Sequence, residues 1–182
     1  MSGTALDYNG TASTTSGTVA VAVNGSLQVG KTGTILANGT WTINDVTFFS
    51  GDVISVFVDG ATDANEAVAV TKYDGVPDVT GMHLQKRHLS IGSNDNATLT
   101  NVDLGLYDDT NDEDIFYNVD AGNDLSMCAD VACSDAGVVI LANNTYAPNS
   151  GADITTHDLR IDGTYTSGAN TVRVSGSWDN NS

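Results

Sequence analysis

The phrase Leu159-Arg160-Ile161-Asp162-Gly163-Thr164-Tyr165-Thr166-Ser167 is followed by Val172-Arg173-Val174-Ser175-Gly176-Ser177-Trp178-Asp179-Asn180. Class matches class through both: apolar, Arg, β-branched, small polar, Gly, hydroxyl, aromatic. A repeated strand-plus-corner unit cannot bury its apolar face alone, so it folds by stacking each copy on a neighbour. Val139-Ile140-Leu141-Ala142-Asn143-Asn144-Thr145-Tyr146 echoes the phrase if one Asn is inserted. The competing reading is a single antiparallel hairpin, Leu159 to Thr166 against Thr171 to Trp178, turning at Ser167-Gly168-Ala169-Asn170. The second copy runs out at Asn180-Asn181-Ser182 without a closing strand, so the chain is expected to be an excerpt, truncated at its C-terminus, from a longer repetitive protein.

The rest of the composition agrees with a β protein. Among 182 residues there are 19 Gly and 2 Pro, 40% are hydrophobic, and strong helix formers are scarce. That is an all-β composition with enough apolar material for a core. Only 6 Lys and Arg oppose 23 Asp and Glu, a formal net charge of −17. Such a field repels phosphate backbones and anionic head groups, which argues against nucleic acid and membrane-surface partners. No stretch is apolar for the length of a membrane span, and Met1-Ser2-Gly3 does not read as the start of a signal peptide. Cys128 and Cys133 stand close together in a segment flanked by Asp and Gly. A small disulfide-closed loop is the expected reading for a secreted protein, with reduced structural thiols as the alternative. His83, His88 and His157 show no metal-ligand spacing relative to that pair.

Strand and turn signals run from residue 18 to 60: Thr18 to Val23, a turn at Asn24-Gly25, Ser26 to Val29, Thr34 to Ala37, a turn at Asn38-Gly39, Thr40 to Ile43, Val46 to Phe49 and Val53 to Val58. Asn-Gly between apolar runs is a strong hairpin signal. Val53 to Val58 is apolar at nearly every position, as in a strand covered on both faces. Trp41 reads as core. Strands are also expected over Met82 to Ile91 and Ala97 to Leu106, with residues 1–16 a disordered or linker segment.

Ala37-Asn38-Gly39-Thr40-Trp41-Thr42-Ile43 followed by Gly51-Asp52-Val53-Ile54-Ser55-Val56-Phe57-Val58-Asp59 resembles bacterial immunoglobulin-like domains of surface proteins. That resemblance covers about residues 17–70 and implies a β-sandwich there. Residues 66–182, with Asp153-Ile154-Thr155-Thr156-His157-Asp158-Leu159, Gly163-Thr164-Tyr165 and Ser175-Gly176-Ser177-Trp178-Asp179-Asn180, resemble segments of very large, repetitive, uncharacterised bacterial cell-surface proteins, and the β-rich repeat segment is expected over residues 71–182. The expected architecture is therefore all-β, an immunoglobulin-like sandwich followed by β-solenoid-like or β-hairpin repeats.

Two acidic turns are candidate Ca²⁺ sites, because calcium takes several hard oxygen ligands from loops of this kind. One holds Asp59, Asp63, Asn65 and Glu66, at the expected module junction. The other holds Asp109, Asn111, Asp112 and Asp114, beside Asp108. Neither fits the EF-hand pattern, and acidic turns also occur merely solvated. Tyr165 and Trp178, at matching phrase positions, are candidate sugar-stacking residues, or else part of an aromatic stack inside the core. No nucleophile motif, zincin motif or phosphate loop is present, and no carboxylate pair is singled out, so no enzyme is expected. The expected function is a structural or adhesive module of a large extracellular protein, rigidified by calcium. The alternatives are a carbohydrate-binding module and a filament subunit that pairs with other copies of itself through edge strands.

Overall fold

The computed structural model describes residues 1–13, 15–127 and 135–182. Strands β1 (Ser2–Leu6), β2 (Thr18–Val23), β3 (Ser26–Thr34), β4 (Thr40–Thr42), β5 (Val53–Asp59), β6 (Val68–Lys72) and β7 (Met82–Gln85) come first. Next are β8 (His88–Ile91), β9 (Thr98–Leu99), a short helix α1 (Asn101–Leu104), β10 (Asn118–Val119), β11 (Leu125–Ser126), β12 (Gly137–Ile140) and β13 (Thr145–Tyr146). The last group is β14 (Ile154–Thr156), β15 (Asp158–Ile161), β16 (Thr164–Tyr165), β17 (Val172–Val174) and β18 (Trp178–Asn180). The described residues are nearly all β, as the composition suggests.

One eight-stranded sheet, in the order β18-β15-β12-β8-β6-β5-β2-β3, runs through the molecule and crosses residue 70 without a break. Its β3-β2-β5-β6 half is antiparallel and its β6-β8-β12-β15-β18 half is parallel. The antiparallel half starts from a tight turn in which Asn24 and Gly25 both take positive φ, the conformation that matches the twist of a two-residue hairpin. Strand β5 is apolar at nearly every position because a core lies on each side of it. Val53 and Phe57 face one core with Ala20, Ala22, Val68 and Val70, whereas Ile54, Val56 and Val58 face the other with Val19, Val21 and Trp41. The second core is closed by the small sheet β4-β1-β7.

The parallel half is one of three ladders of stacked parallel strands. Beside β8-β12-β15-β18 stand β9-β13-β16 and β11-β14-β17. Register aligns like with like: Leu89, Val138, Leu159 and Trp178 form one inward column, and Ile91, Ile140 and Ile161 the next. Side chains alternate across a strand, so the intervening residues form outward rows, His88-Gly137-Asp158 and Ser90-Val139-Arg160-Asp179. The step from Leu159 to Trp178 is about as long as that from Val138 to Leu159. The step from Leu89 to Val138 is more than twice as long, because α1, the acidic segment, β10 and β11 lie within it.

Several expectations change. The two matching phrases do not stack position on matching position: Leu159 to Tyr165 spans β15 and β16, while Val172 to Trp178 spans β17 and β18, so the start of the first phrase lies on the end of the second. The partner of Arg160 is Asp179, and the partner of Arg173 is Thr155. The Val139-to-Tyr146 segment is the one that lies rung on rung with Arg160 to Tyr165. Residues 1–16 are not all linker, because Gly3 lets β1 lie directly against Trp41 and the Met82 carbonyl, where any Cβ would clash. Val46 to Phe49 forms no strand: Asp45 has positive φ, and the Asp52 carboxylate accepts the Phe49 N–H at 2.6 Å. Met82 to Ile91 is broken at Arg87, also at positive φ. Ala97 to Leu106 contains α1, started by a capping box in which the Thr100 hydroxyl accepts the Asp103 N–H and the Asp103 carboxylate accepts the Thr100 N–H.

Candidate functional site

A groove of about 250 Å³ lies on the outward face of the parallel ladder. Its floor is the two polar rows, and its wall is Tyr8 and Asn9, from the loop after β1. Two glycines lie against the lining residues His88 and Asp158. A Cβ at Gly137 would stand 2.7 Å from the His88 ring, and one at Gly176 would stand 2.4 Å from the His157 ring, so each imidazole lies across a glycine. His88 is buried, and its Nδ1 donates to the Lys86 carbonyl at 2.8 Å. Burial lowers the His88 pKa, which keeps the ring neutral and leaves Nε2 as an acceptor.

The Tyr8 ring packs on His88 with centroids 5.0 Å apart, and its hydroxyl donates to Asp158 Oδ2 at 2.6 Å. Burial and the Asp158 charge push the Tyr8 hydroxyl up to about 12. Burial alone would raise Asp158, yet the Tyr8 hydroxyl and the Ser177 N–H, 2.7 Å from Oδ1, together with the nearby histidines, hold it below the usual carboxylate range. Arg160 pairs with Asp162 at 3.0 Å. Gln85, only 2% exposed, donates from Nε2 to the Tyr8 carbonyl at 2.7 Å. Its Oε1, together with His83 Nδ1 and Ser90 Oγ, is buried with no hydrogen-bond partner among the described residues.

The sequence-predicted sites fall elsewhere. Glu66 is buried, and Oε2 accepts the Arg87 guanidinium at 2.8 Å. Arg87 Nε reaches Asp135 at 3.2 Å, and its guanidinium carbon lies 5.2 Å from the centre of the Phe116 ring. This ion pair sits where the antiparallel strands meet the parallel ladder, beside β6, β8 and β12. The other acidic residues mostly bind their own backbone or near neighbours. Asp112 accepts the Tyr107 hydroxyl and the Asp114 N–H, Asn111 accepts the Asp108 N–H, Asp109 accepts the Asn118 amide, and Asn65 donates to Thr62. Asp114 accepts the Gly60 N–H at 2.8 Å, which brings the two acidic turns together. Burial and the charges of Asp112, Asp59 and Glu113 raise the Asp114 pKa. Among the described residues no three Asp, Glu, His or Cys side chains are arranged to hold a metal ion, and the Asp63 side chain is not among those described.

No family model, curated protein or solved structure matches this chain.

Tyr165 and Trp178 do not share a ladder. Tyr165 stacks after Tyr146 with ring centroids 6.0 Å apart, its hydroxyl buried and without a partner among the described residues. Trp178 continues the Leu89-Val138-Leu159 column and is 54% exposed. Cys128 and Cys133 lie outside the described residues. Among the described residues no helix is long and apolar enough to cross a membrane. The groove went unread in the sequence because Tyr8, the segment Gln85 to His88, and Asp158 are far apart along the chain. The one local signal is glycine: Gly137 and Gly176 sit where an imidazole crosses the strand.

Proposed function

We propose that the chain is a structural and adhesive module of a large extracellular bacterial surface protein, without enzymatic activity. In this reading the parallel ladders are coils of a β-solenoid, and the antiparallel strands of residues 17–70 are an immunoglobulin-like unit joined to its first coil. The reading rests on the in-register columns, in which like side chains stack rung on rung through β8, β12 and β15. A stack of this kind gains stability from each neighbour added, so coils of the same design appended to it should fold onto the ladder. The buried Glu66–Arg87 pair is the lock at the joint.

Replacing Asn181 and Ser182 by three successive copies of residues 162–180 tests it. Each copy carries the next corner and the three strands of one coil. Stacking would lengthen the particle by about 15 Å, one strand spacing per coil, in small-angle scattering. Added segments that scatter as unfolded tails would refute it. A second reading, self-assembly through the β18 edge, is favoured by the exposure of all three β18 residues, and polymers of the unaltered chain on a microscope grid would select it.

A further inference from the structure

The structure assigns a second role to the outward face of the ladder: we infer that the Tyr8–Gln85–Asp158–Arg160 groove binds one ring of a neutral, hydroxyl-rich sugar within a glycan chain. This inference is independent of whether further coils stack on β18. Its starting point is Gln85. The side chain is buried and lines the groove, its amide nitrogen is committed to the Tyr8 carbonyl, and its Oε1 has no partner among the described residues. The nitrogen must face that carbonyl, because a flipped amide would set oxygen against oxygen, so the free atom is an acceptor awaiting a donor.

The other groups define the ligand. Asp158 and Asp179 are acceptors, and His88 presents Nε2. Arg160 is a donor on the same floor, so hydroxyls that both give and accept hydrogen bonds suit the row better than a purely cationic ligand does. An anionic sugar is opposed by the net charge of −17. Tyr8, 40% exposed and braced against His88, offers an aromatic wall for the apolar face of a sugar ring. The volume, about 250 Å³, is below that of pockets for drug-sized ligands and suits a single ring, with the chain continuing along the open ladder.

The test uses the full chain with cellopentaose, mannopentaose and laminaripentaose as neutral probes, and spermine as a cationic one, followed by titration calorimetry and amide chemical-shift mapping. At least one pentasaccharide should bind, with shifts centred on Tyr8, Gln85 and Arg160 and little change on adding salt. Tyr8→Ala and Gln85→Met should each weaken that binding by about tenfold or more. The mapping on the unaltered chain keeps the test valid if a variant misfolds. The inference is overturned if no neutral pentasaccharide binds, if the shifts lie elsewhere, if the folded Tyr8→Ala variant binds as well as the unaltered chain, or if only spermine binds and is released by salt.

Discussion

Replacing Glu66 by Ala isolates the electrostatics of the joint. Glu66 and Arg87 are 7% and 5% exposed, with 2.8 Å between Oε2 and Nη1. Removing the carboxylate takes from the buried guanidinium its nearest described carboxylate, with the more exposed Asp135 and the face of Phe116 among its remaining described neighbours. Stranding one partner of a buried pair costs about 3–5 kcal/mol, far more than losing a surface pair. For a domain of this size each kcal/mol lowers the melting temperature by about 2–4 °C, so the expected drop is about 6–20 °C. The assay is thermal unfolding followed by circular dichroism near neutral pH. The double variant Glu66→Leu with Arg87→Met should recover most of that loss, because replacing a buried pair by packed apolar groups is close to neutral. A drop of less than about 2 °C for Glu66→Ala would show that the pair is solvated and would refute the reasoning.

Three further outcomes are expected. Gly137→Ala should destabilise by about 1–3 kcal/mol because its methyl would meet the His88 ring at 2.7 Å, and His88→Ala in the same chain should restore much of the loss; denaturant titration of both variants decides it. The Asp114 pKa is raised, so its ionised form is disfavoured in the fold: the group opposes stability at neutral pH, and that opposition fades as pH falls through the raised folded value. Asp114→Asn, which keeps an acceptor for the Gly60 N–H, should therefore leave the melting temperature unchanged or slightly higher at pH 7, with the difference closing in acid. With the acidic side chains engaged as described, adding calcium in place of chelator should shift the melt by less than about 2 °C, and a rise several times larger would mean the turns rearrange around the ion.

Much of the antiparallel half was legible in sequence. The Asn24-Gly25 turn and the doubly apolar β5 follow from local rules that tertiary packing reinforces. The parallel ladders were legible only as repetition. Strands of two to four residues are too short to show a period, and two corners of one coil can share a phrase while belonging to different sheets, as Leu159 to Tyr165 and Val172 to Trp178 do. Helix α1 was hidden by its brevity, although Thr100-x-x-Asp103 is a readable capping signal. Glu66 looked like a loop ligand because its partner, Arg87, reaches it only through folding. The groove depends on long-range pairing throughout, with Tyr8 brought to Asp158 from 150 residues away along the chain.

Hydrogen exchange along the inward columns measures the stacking itself. Amides of Val138 and Ile140 in β12, with a strand on each side, should exchange slowest, those of Leu159 and Ile161 in β15 next, and those of β18 fastest, because only one neighbour holds the last rung. Exchange in β12 and β15 as fast as in the exposed turn around Ala169 would contradict a stacked parallel ladder, and with it the structural module.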